Sequence, residues 1–224
     1  MLSVNEIFHS IQGESTAAGR PCVFVRLQGC NLACRYCDTE DSRGAGGSEM
    51  EVAEIVRRVA DFGCDLVEVT GGEPLVQPET GLLLGTLVEA GYEVLVESNG
   101  SLPLPENRGW RVIMDIKCPG SGMGDSFNRD NLARLTATDE VKFVIGDRRD
   151  FEWALARVEE YGLSDGRREV LLSPVPGACP PSLLAAWLLE SGRRLRLQVQ
   201  LHKIVWPEGE PKARGPDASL LALP

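Results

Sequence analysis

Three features of the chain predict an α/β fold with a mostly parallel sheet and helices packed outside it. Apolar runs of strand length end in small or polar loops: 22–27 leads to Gly29-Cys30, 66–70 to Gly71-Gly72, and 93–98 to Asn99-Gly100. Segments with helical spacing of apolar residues, such as Val52, Ile55, Val56 and Val59, lie between such runs. The resulting order, β-α-β-α-β-β-β-α-β-α, builds parallel strands joined by crossovers. About six core strands fall short of a closed eight-stranded barrel. The expected architecture is an open partial (β/α) barrel, abbreviated where 111–116 follows 93–98 without a clear helix.

Residues 3–8 form a short extended run. Ile11-Gln12-Gly13-Glu14-Ser15 and the turn signal Gly19-Arg20-Pro21 follow, so a hairpin leads into strand 22–27. Residues 42–47 are glycine-rich. Ser48-Glu49-Met50-Glu51 has the form of a capping box and predicts a helix that starts at Ser48 and stops at Gly63. Strand 66–70 and helix 80–90, closed by Gly91, come next. After strands 93–98 and 111–116 there is a short helical piece at 132–135, then strand 140–145. Helix 149–161 carries apolar Phe151, Leu155 and Val158. Strand 169–172, helix 181–191 and a half-exposed strand 195–201 complete the barrel. Residues 207–224 are a tail rich in Pro and Gly. With no internal repeat and no linker, 1–224 is expected to be a single domain.

The chain is 43% hydrophobic and 25% charged over 224 residues, ordinary for a globular domain with a full core. A net charge of −10 argues against broad nucleic-acid or anionic-membrane binding, which needs a basic patch. The N-terminal residues lack the basic flank and apolar core of a signal peptide. No apolar run approaches membrane-spanning length. Seven cysteines, an odd number without a regular framework, fit a reducing cytoplasm with a metal site better than an oxidising compartment.

The chemistry concentrates in Gly29-Cys30-Asn31-Leu32-Ala33-Cys34-Arg35-Tyr36-Cys37-Asp38-Thr39. Its cysteines are spaced C-x-x-x-C-x-x-C on a loop at the C-terminal end of a strand, where α/β folds build their sites. Three thiolates can hold one metal centre, but they cannot saturate a cubane cluster, which takes four ligands. A [4Fe–4S] cluster there keeps one iron open, and an open position separates a reactive metal from a structural one. Zinc is the competing reading; it needs a fourth ligand, with Cys64, Cys118 and His202 as candidates. A thioredoxin-like pair at Cys34 and Cys37 leaves Cys30 without a role.

Gly71-Gly72-Glu73-Pro74 follows the second core strand. Two glycines there let backbone approach a ligand with no Cβ in the way. The bland alternative is an ordinary turn, which Glu73 and Pro74 make less attractive. Arg26 interrupts an apolar strand; it is either a snorkelling surface residue or a receptor for a carboxylate.

The cysteine spacing together with Gly-Gly-Glu-Pro resembles the radical S-adenosylmethionine enzymes. Within them the chain is similar to the 7-carboxy-7-deazaguanine synthases of the queuosine precursor pathway. That closer likeness rests on Glu6-Ile7-Phe8, Ile11-Gln12-Gly13-Glu14, Gly19-Arg20-Pro21, Phe24-Val25-Arg26-Leu27 and Cys37-Asp38-Thr39. It continues through Thr70 to Leu75, Glu97-Ser98-Asn99-Gly100, Asp115-Ile116-Lys117 and His202-Lys203-Ile204. Ser15 departs from it, since the family more often has Gly there, and little consequence is expected because a small residue is retained.

The resemblance implies a lyase with a [4Fe–4S] cluster, S-adenosylmethionine and Mg²⁺. A 5′-deoxyadenosyl radical takes hydrogen from C6 of 6-carboxy-5,6,7,8-tetrahydropterin. Ring contraction with loss of ammonia then gives 7-carboxy-7-deazaguanine. By matching positions, Cys30, Cys34 and Cys37 hold the cluster and Thr39 the Mg²⁺. Gly72, Ser98, Asp115, Ile116, Lys117, Ser173, Pro174, Val175 and Pro176 form the S-adenosylmethionine wall. Ile11, Gln12, Gly13, Arg26 and Thr70 contact the substrate. Ser98 and Asp115 have strand-end capping as their bland alternative. Cys22, Cys64, Cys118 and Cys179 are expected to be plain thiols. The implied partners are the small pterin and an electron donor such as flavodoxin or ferredoxin; a homodimer is allowed, and neither nucleic acid nor membrane is expected. Two rivals share parts of the pattern. A glycyl-radical activase of anaerobic ribonucleotide reductase shares the cysteines and Gly-Gly-Glu-Pro, and a non-enzymatic zinc scaffold shares the cysteines.

Overall fold

The computed structural model of the chain describes residues 1–106 and 108–206. The tail predicted at 207–224 lies outside the described residues. One sheet runs in the order β3-β1-β2-β4-β5-β6-β7-β8-β9. Its centre is six parallel strands: β2 (Pro21–Leu27), β4 (Leu66–Gly71), β5 (Glu93–Ser98), β6 (Arg111–Asp115), β7 (Glu140–Ile145) and β8 (Glu169–Pro174). Helices α1 (Val52–Ala60), α2 (Thr80–Glu89), α3 (Arg148–Glu160) and α4 (Pro181–Ser191) cover the outside. The order ends at β3 and β9 without pairing them, so the barrel is open, as expected. Between β5 and β6 no helix is found among the described residues. There the buried Asn131 holds the chain instead. Its Nδ2 donates to the carbonyls of Gly100 (3.0 Å) and Leu102 (2.9 Å), and its Oδ1 accepts from the N–H of Leu104 (2.9 Å).

The strand pattern has period two, and both faces are buried for different reasons. One face carries Val23, Val25, Val67, Val69, Val94, Val96, Val141 and Phe143, which pack against Ile55, Leu83, Leu84, Leu87, Phe151 and Val158 of the helices. Each such side chain is worth roughly 1.5–3 kcal/mol on burial. The other face points into the barrel. Near the N-terminal ends of the strands it is apolar, with Phe8, Cys22, Phe24, Leu66, Leu95 and Ile113 forming a second cluster. Phe8 and Phe24 stack at 4.9 Å across the pair formed by β1 (Leu2–Ile11) and β2. Near the C-terminal ends the same face turns polar, and a site can form there.

Two expectations are corrected. Ser48 does not cap a helix: Ser48–Met50 is β3, paired antiparallel with Leu2, Ser3 and Val4. Helix α1 starts at Val52 after Glu51, with no side-chain cap. Ladder hydrogen bonds and the burial of Met50 outweigh the local capping preference. The strand predicted over 195–201 shrinks to β9 (Arg196–Leu197), and α5 (Leu201–Val205) follows it. Gln198 and Gln200 turn their amides to Glu14, and the Leu201 N–H donates to the Gly13 carbonyl at 2.9 Å. These bonds pull the chain off the sheet and across the barrel opening. The helical piece at 132–135 is a 3₁₀ turn at Arg129–Arg134.

Ser15 takes an unusual backbone conformation. It stands at φ 61°, the left-handed region where a residue with a Cβ costs about 1–2 kcal/mol. Local bonds offset this cost: Ser15 Oγ accepts from the Ala17 N–H at 3.0 Å, and the Ser15 N–H donates to Gln198 Oε1 at 2.7 Å.

Candidate active site

The polar ends of the inward face line a cavity of about 440 Å³. Arg26 on β2, Glu68 and Thr70 on β4, Glu97 on β5, Asp115 on β6, Lys142 on β7 and Ser173 on β8 all reach it. Every expected site residue lines it except Ile116. The Ile116 side chain lies in the helix-covered core, and its N–H donates to the Lys142 carbonyl at 2.9 Å.

The cysteine loop leaves β2 at Gln28. The buried Gln28 amide staples the loop, donating to the carbonyls of Asp41 (2.9 Å) and Gly44 (3.0 Å). The three thiols are free and half-buried. Burial pushes the Cys30 and Cys34 thiols up. Cys22, Cys118 and Cys179 are buried elsewhere, and Cys64 packs beside the inner apolar cluster, so none joins the loop. Among the described residues no three His, Cys, Asp or Glu side chains converge closely enough to hold a single ion. A cubane cluster puts its thiolates on separate irons, so three thiols splayed along one loop beside an open cavity fit that group.

Gly72 shows why glycine is required beside the cysteines. A Cβ there would stand 2.2 Å from the Gly29 carbonyl oxygen and 2.8 Å from Cys30 Cβ. Glu73 is wholly buried and ties this turn to the end of β5. One of its oxygens accepts from the Leu75 N–H (3.1 Å) and Ser98 Oγ (3.0 Å), the other from the Asn99 N–H (2.7 Å). Asn99 Nδ2 donates to Asn31 Oδ1 at 3.2 Å and lies 4.0 Å from Cys30 Sγ. Ser98 therefore does cap a strand end, and it still faces the cavity.

On one side of the cavity Asp115 Oδ2 accepts from Lys117 Nζ at 2.9 Å, while the buried Asp115 Oδ1 has no partner. The loop after β8 is fixed by the Val175 N–H donating to the Ile145 carbonyl at 2.9 Å, and Tyr36 Oη donates to the Val144 carbonyl at 3.2 Å. On the other side, Thr39 Oγ1 lies 3.8 Å from Cys37 Sγ. Arg26 is half-buried over the Phe8 ring, and its Nε donates to Glu6 Oε1 at 2.9 Å. Arg26 is thus neither a free surface cation nor an unpaired buried one.

Glu14, Glu68, Glu97 and Lys142, given no role above, form the floor together with Gln12 and Asp115. Lys142 Nζ bonds Glu14 Oε2 at 2.9 Å, bonds Glu97, and lies 3.4 Å from Asp115 Oδ2. Gln12 donates to Glu68. Burial, together with the nearby charges of Glu97 and Glu14, holds the Glu68 carboxyl well above the usual range. Burial opposes ionisation of Glu14 too, but Lys142 and the Gln200 amide outweigh it and hold its pKa below the ordinary value. The chain after β9 crosses this floor. A Cβ on residue 13 would stand 1.9 Å from His202 Nδ1, so any larger residue there would have to displace the His202 side chain. Gln200 and Lys203 reach Asp38 Oδ2 at 3.0 and 3.3 Å. Asp38 is pulled down to about 2: burial raises it, and these donors outweigh burial.

A family model for the Radical SAM superfamily matches residues 24–173. The chain belongs to that superfamily, and a [4Fe–4S] cluster and S-adenosylmethionine are its cofactors. It is 42% identical over 221 residues to 7-carboxy-7-deazaguanine synthase of Koribacter versatilis, covering 92% of this chain and 97% of that one. It is 41% identical to the same enzyme of Chlorobaculum tepidum, covering 96% and 97%. Within the superfamily, the chain belongs to the 7-carboxy-7-deazaguanine synthases. The crystal structure of QueE from Escherichia coli superposes with a TM-score of 0.72 over 90% of this chain and 94% of that one, at 24% identity, and so shares the fold. No helix among the described residues is long and apolar enough to cross a membrane.

Proposed function

We propose that the protein converts 6-carboxy-5,6,7,8-tetrahydropterin to 7-carboxy-7-deazaguanine with loss of ammonia, aided by Mg²⁺, as one radical S-adenosylmethionine domain. The carrying observation is a single cavity with three free thiols at its rim and a buried floor of carboxylates and amides. Cys30, Cys34 and Cys37 would hold the cluster. Bound there, the cluster and S-adenosylmethionine supply a hydrogen-abstracting adenosyl radical. Gly72, Ser98, Asp115, Lys117 and residues 173–176 form the wall for S-adenosylmethionine, and Asp115 Oδ1 offers it an unused buried acceptor. Ile11, Gln12, Gly13, Arg26 and Thr70 take the pterin. Its amino and ring N–H groups suit the carboxylates of the floor, and its carboxylate suits Arg26. Thr39 contributes one neutral oxygen to Mg²⁺, so the substrate supplies much of that site. An external one-electron donor of the flavodoxin or ferredoxin class provides reduction.

An activase must admit a loop of another protein. Here the chain over 198–206 crosses the floor, tied to Gly13, Glu14 and Asp38, which favours a small enclosed substrate. Anaerobic titration of the cluster-loaded protein with the carboxypterin, S-adenosylmethionine present, tests the assignment. Saturable binding that weakens when the 6-carboxylate is removed is expected. No binding would overturn it.

A further inference from the structure

Lys142 has no part in the roles above, yet its ammonium meets three carboxylates of the cavity. Its side chain is only 4% exposed. Its ammonium bonds Glu14 (2.9 Å), from the loop after β1, and Glu97, from β5. It also lies 3.4 Å from Asp115, its register neighbour on β6. Asp115 in turn holds Lys117. One cation therefore touches acids on the pterin side and on the S-adenosylmethionine side. A lysine this enclosed is costly unless carboxylates compensate it, and carboxylates this close repel one another unless a cation separates them. The charged groups around it are Glu14, Glu68, Glu97, Asp115, Lys117 and Asp38.

We propose that Lys142 is a positioning residue: its ammonium aims the Glu14 and Glu97 carboxylates as acceptors for the donor edge of the pterin. It keeps Asp115 apart from them, on the S-adenosylmethionine side. It does not touch the substrate. The inference rests on the pterin assignment above, and its test separates the two.

Lys142→Met keeps the length of the stem and removes the charge. Lys142→Arg keeps the charge and enlarges the head. Iron content and thermal melting establish that each variant is folded and loaded. Carboxypterin affinity is then measured by anaerobic titration with S-adenosylmethionine present, from pH 6.5 to 8.5. At pH 7 the Met variant should bind at least about tenfold more weakly, because three crowded acids no longer ionise together. It should recover part of the loss toward pH 8.5, as those acids lose their protons. The Arg variant should stay within about threefold of wild type with the wild-type pH profile, the charge being what matters. Wild-type affinity and pH profile in the Met variant would overturn the inference. So would equal, pH-independent weakening in both variants, which marks a packing role. If the Met variant does not fold, the double variant Lys142→Met with Glu97→Gln, which removes an acid with the cation, should regain folding and cluster loading; its failure would count against the proposal. Absence of pterin binding by wild type would fault the substrate assignment instead.

Discussion

Replacing Glu73 by Gln should cost both stability and the shape of the cofactor wall. The carboxylate is wholly buried and its two oxygens accept from two backbone N–H groups and one hydroxyl. Burial pushes its pKa up, and these donors pull the other way. A Gln amide has one acceptor. With its oxygen toward Leu75 and Ser98, its NH₂ faces the Asn99 N–H; with the amide turned over, its NH₂ faces the Leu75 N–H. Ser98 can rotate its hydroxyl, but a backbone N–H cannot. One buried N–H is left unpaired, at about 1–3 kcal/mol. For a chain of this size that lowers Tm by roughly 2–4 °C per kcal/mol, or about 2–12 °C. The turn carrying Asn99 loosens with it, and Asn99 is what meets Asn31 on the cysteine loop at 3.2 Å. S-adenosylmethionine affinity should fall in parallel. Anaerobic melts of the loaded variant at pH 7, followed by circular dichroism, measure the first effect and titration the second. A Tm within about 1 °C of wild type would refute the accounting of Glu73's bonds.

Five further substitutions have defined outcomes. Cys34→Ala should lose the cluster and all S-adenosylmethionine cleavage while Cys64→Ala keeps both, read by iron content and spin resonance; a normal reducible cluster in the Cys34 variant contradicts the ligand set. Thr39→Ala should weaken Mg²⁺ stimulation of turnover and leave the cluster intact, and an unchanged Mg²⁺ dependence counts against a Thr39 ligand. Arg26→Lys keeps a charge for Glu6 but loses the planar fork, so carboxypterin binding should weaken roughly ten- to a hundredfold, about 1.5–3 kcal/mol, with folding preserved; equal affinity would make Arg26 structural. Glu68→Gln should stabilise the protein most at high pH. Because the folded Glu68 carboxyl is raised above its ordinary value of 4.5, the folded chain retains a proton that the unfolded chain loses as pH climbs past that value, and stability drains away with it. A Gln carbonyl still accepts from Gln12, so the Tm of the variant relative to wild type should rise by a few degrees between pH 5 and pH 8, at about 2–4 °C per kcal/mol; a fall over that interval would reverse the sign.

The helix-covered face of the sheet was legible because its residues are apolar at every second position, and so was the cysteine loop, whose spacing is local. The capping box at Ser48 misled because an antiparallel partner 44 to 48 residues upstream, at residues 2–4, claims the same backbone. The strand over 195–201 misled because the alternation of Gln198 and Gln200 suits both an exposed strand and a segment whose amides reach for Glu14. The resemblance gives roles to Arg26, Thr70 and Asp115 of the floor, but none to Glu68, Glu97 and Lys142. All six stand on the inward face of otherwise apolar strands, from mid-strand at Glu68 and Lys142 to the C-terminal end at Asp115. Charges at such positions in buried parallel strands point to a polar cavity. What the sequence does not contain is their pairing, since Lys142 meets Glu14 across 128 residues.

Turnover tests the central claim most directly. The protein is reconstituted anaerobically, reduced, and incubated with S-adenosylmethionine, Mg²⁺ and 6-carboxy-5,6,7,8-tetrahydropterin, with products read by mass spectrometry. The account predicts 7-carboxy-7-deazaguanine and ammonia in equal amounts. Cleavage of S-adenosylmethionine with the carboxypterin left intact would contradict it.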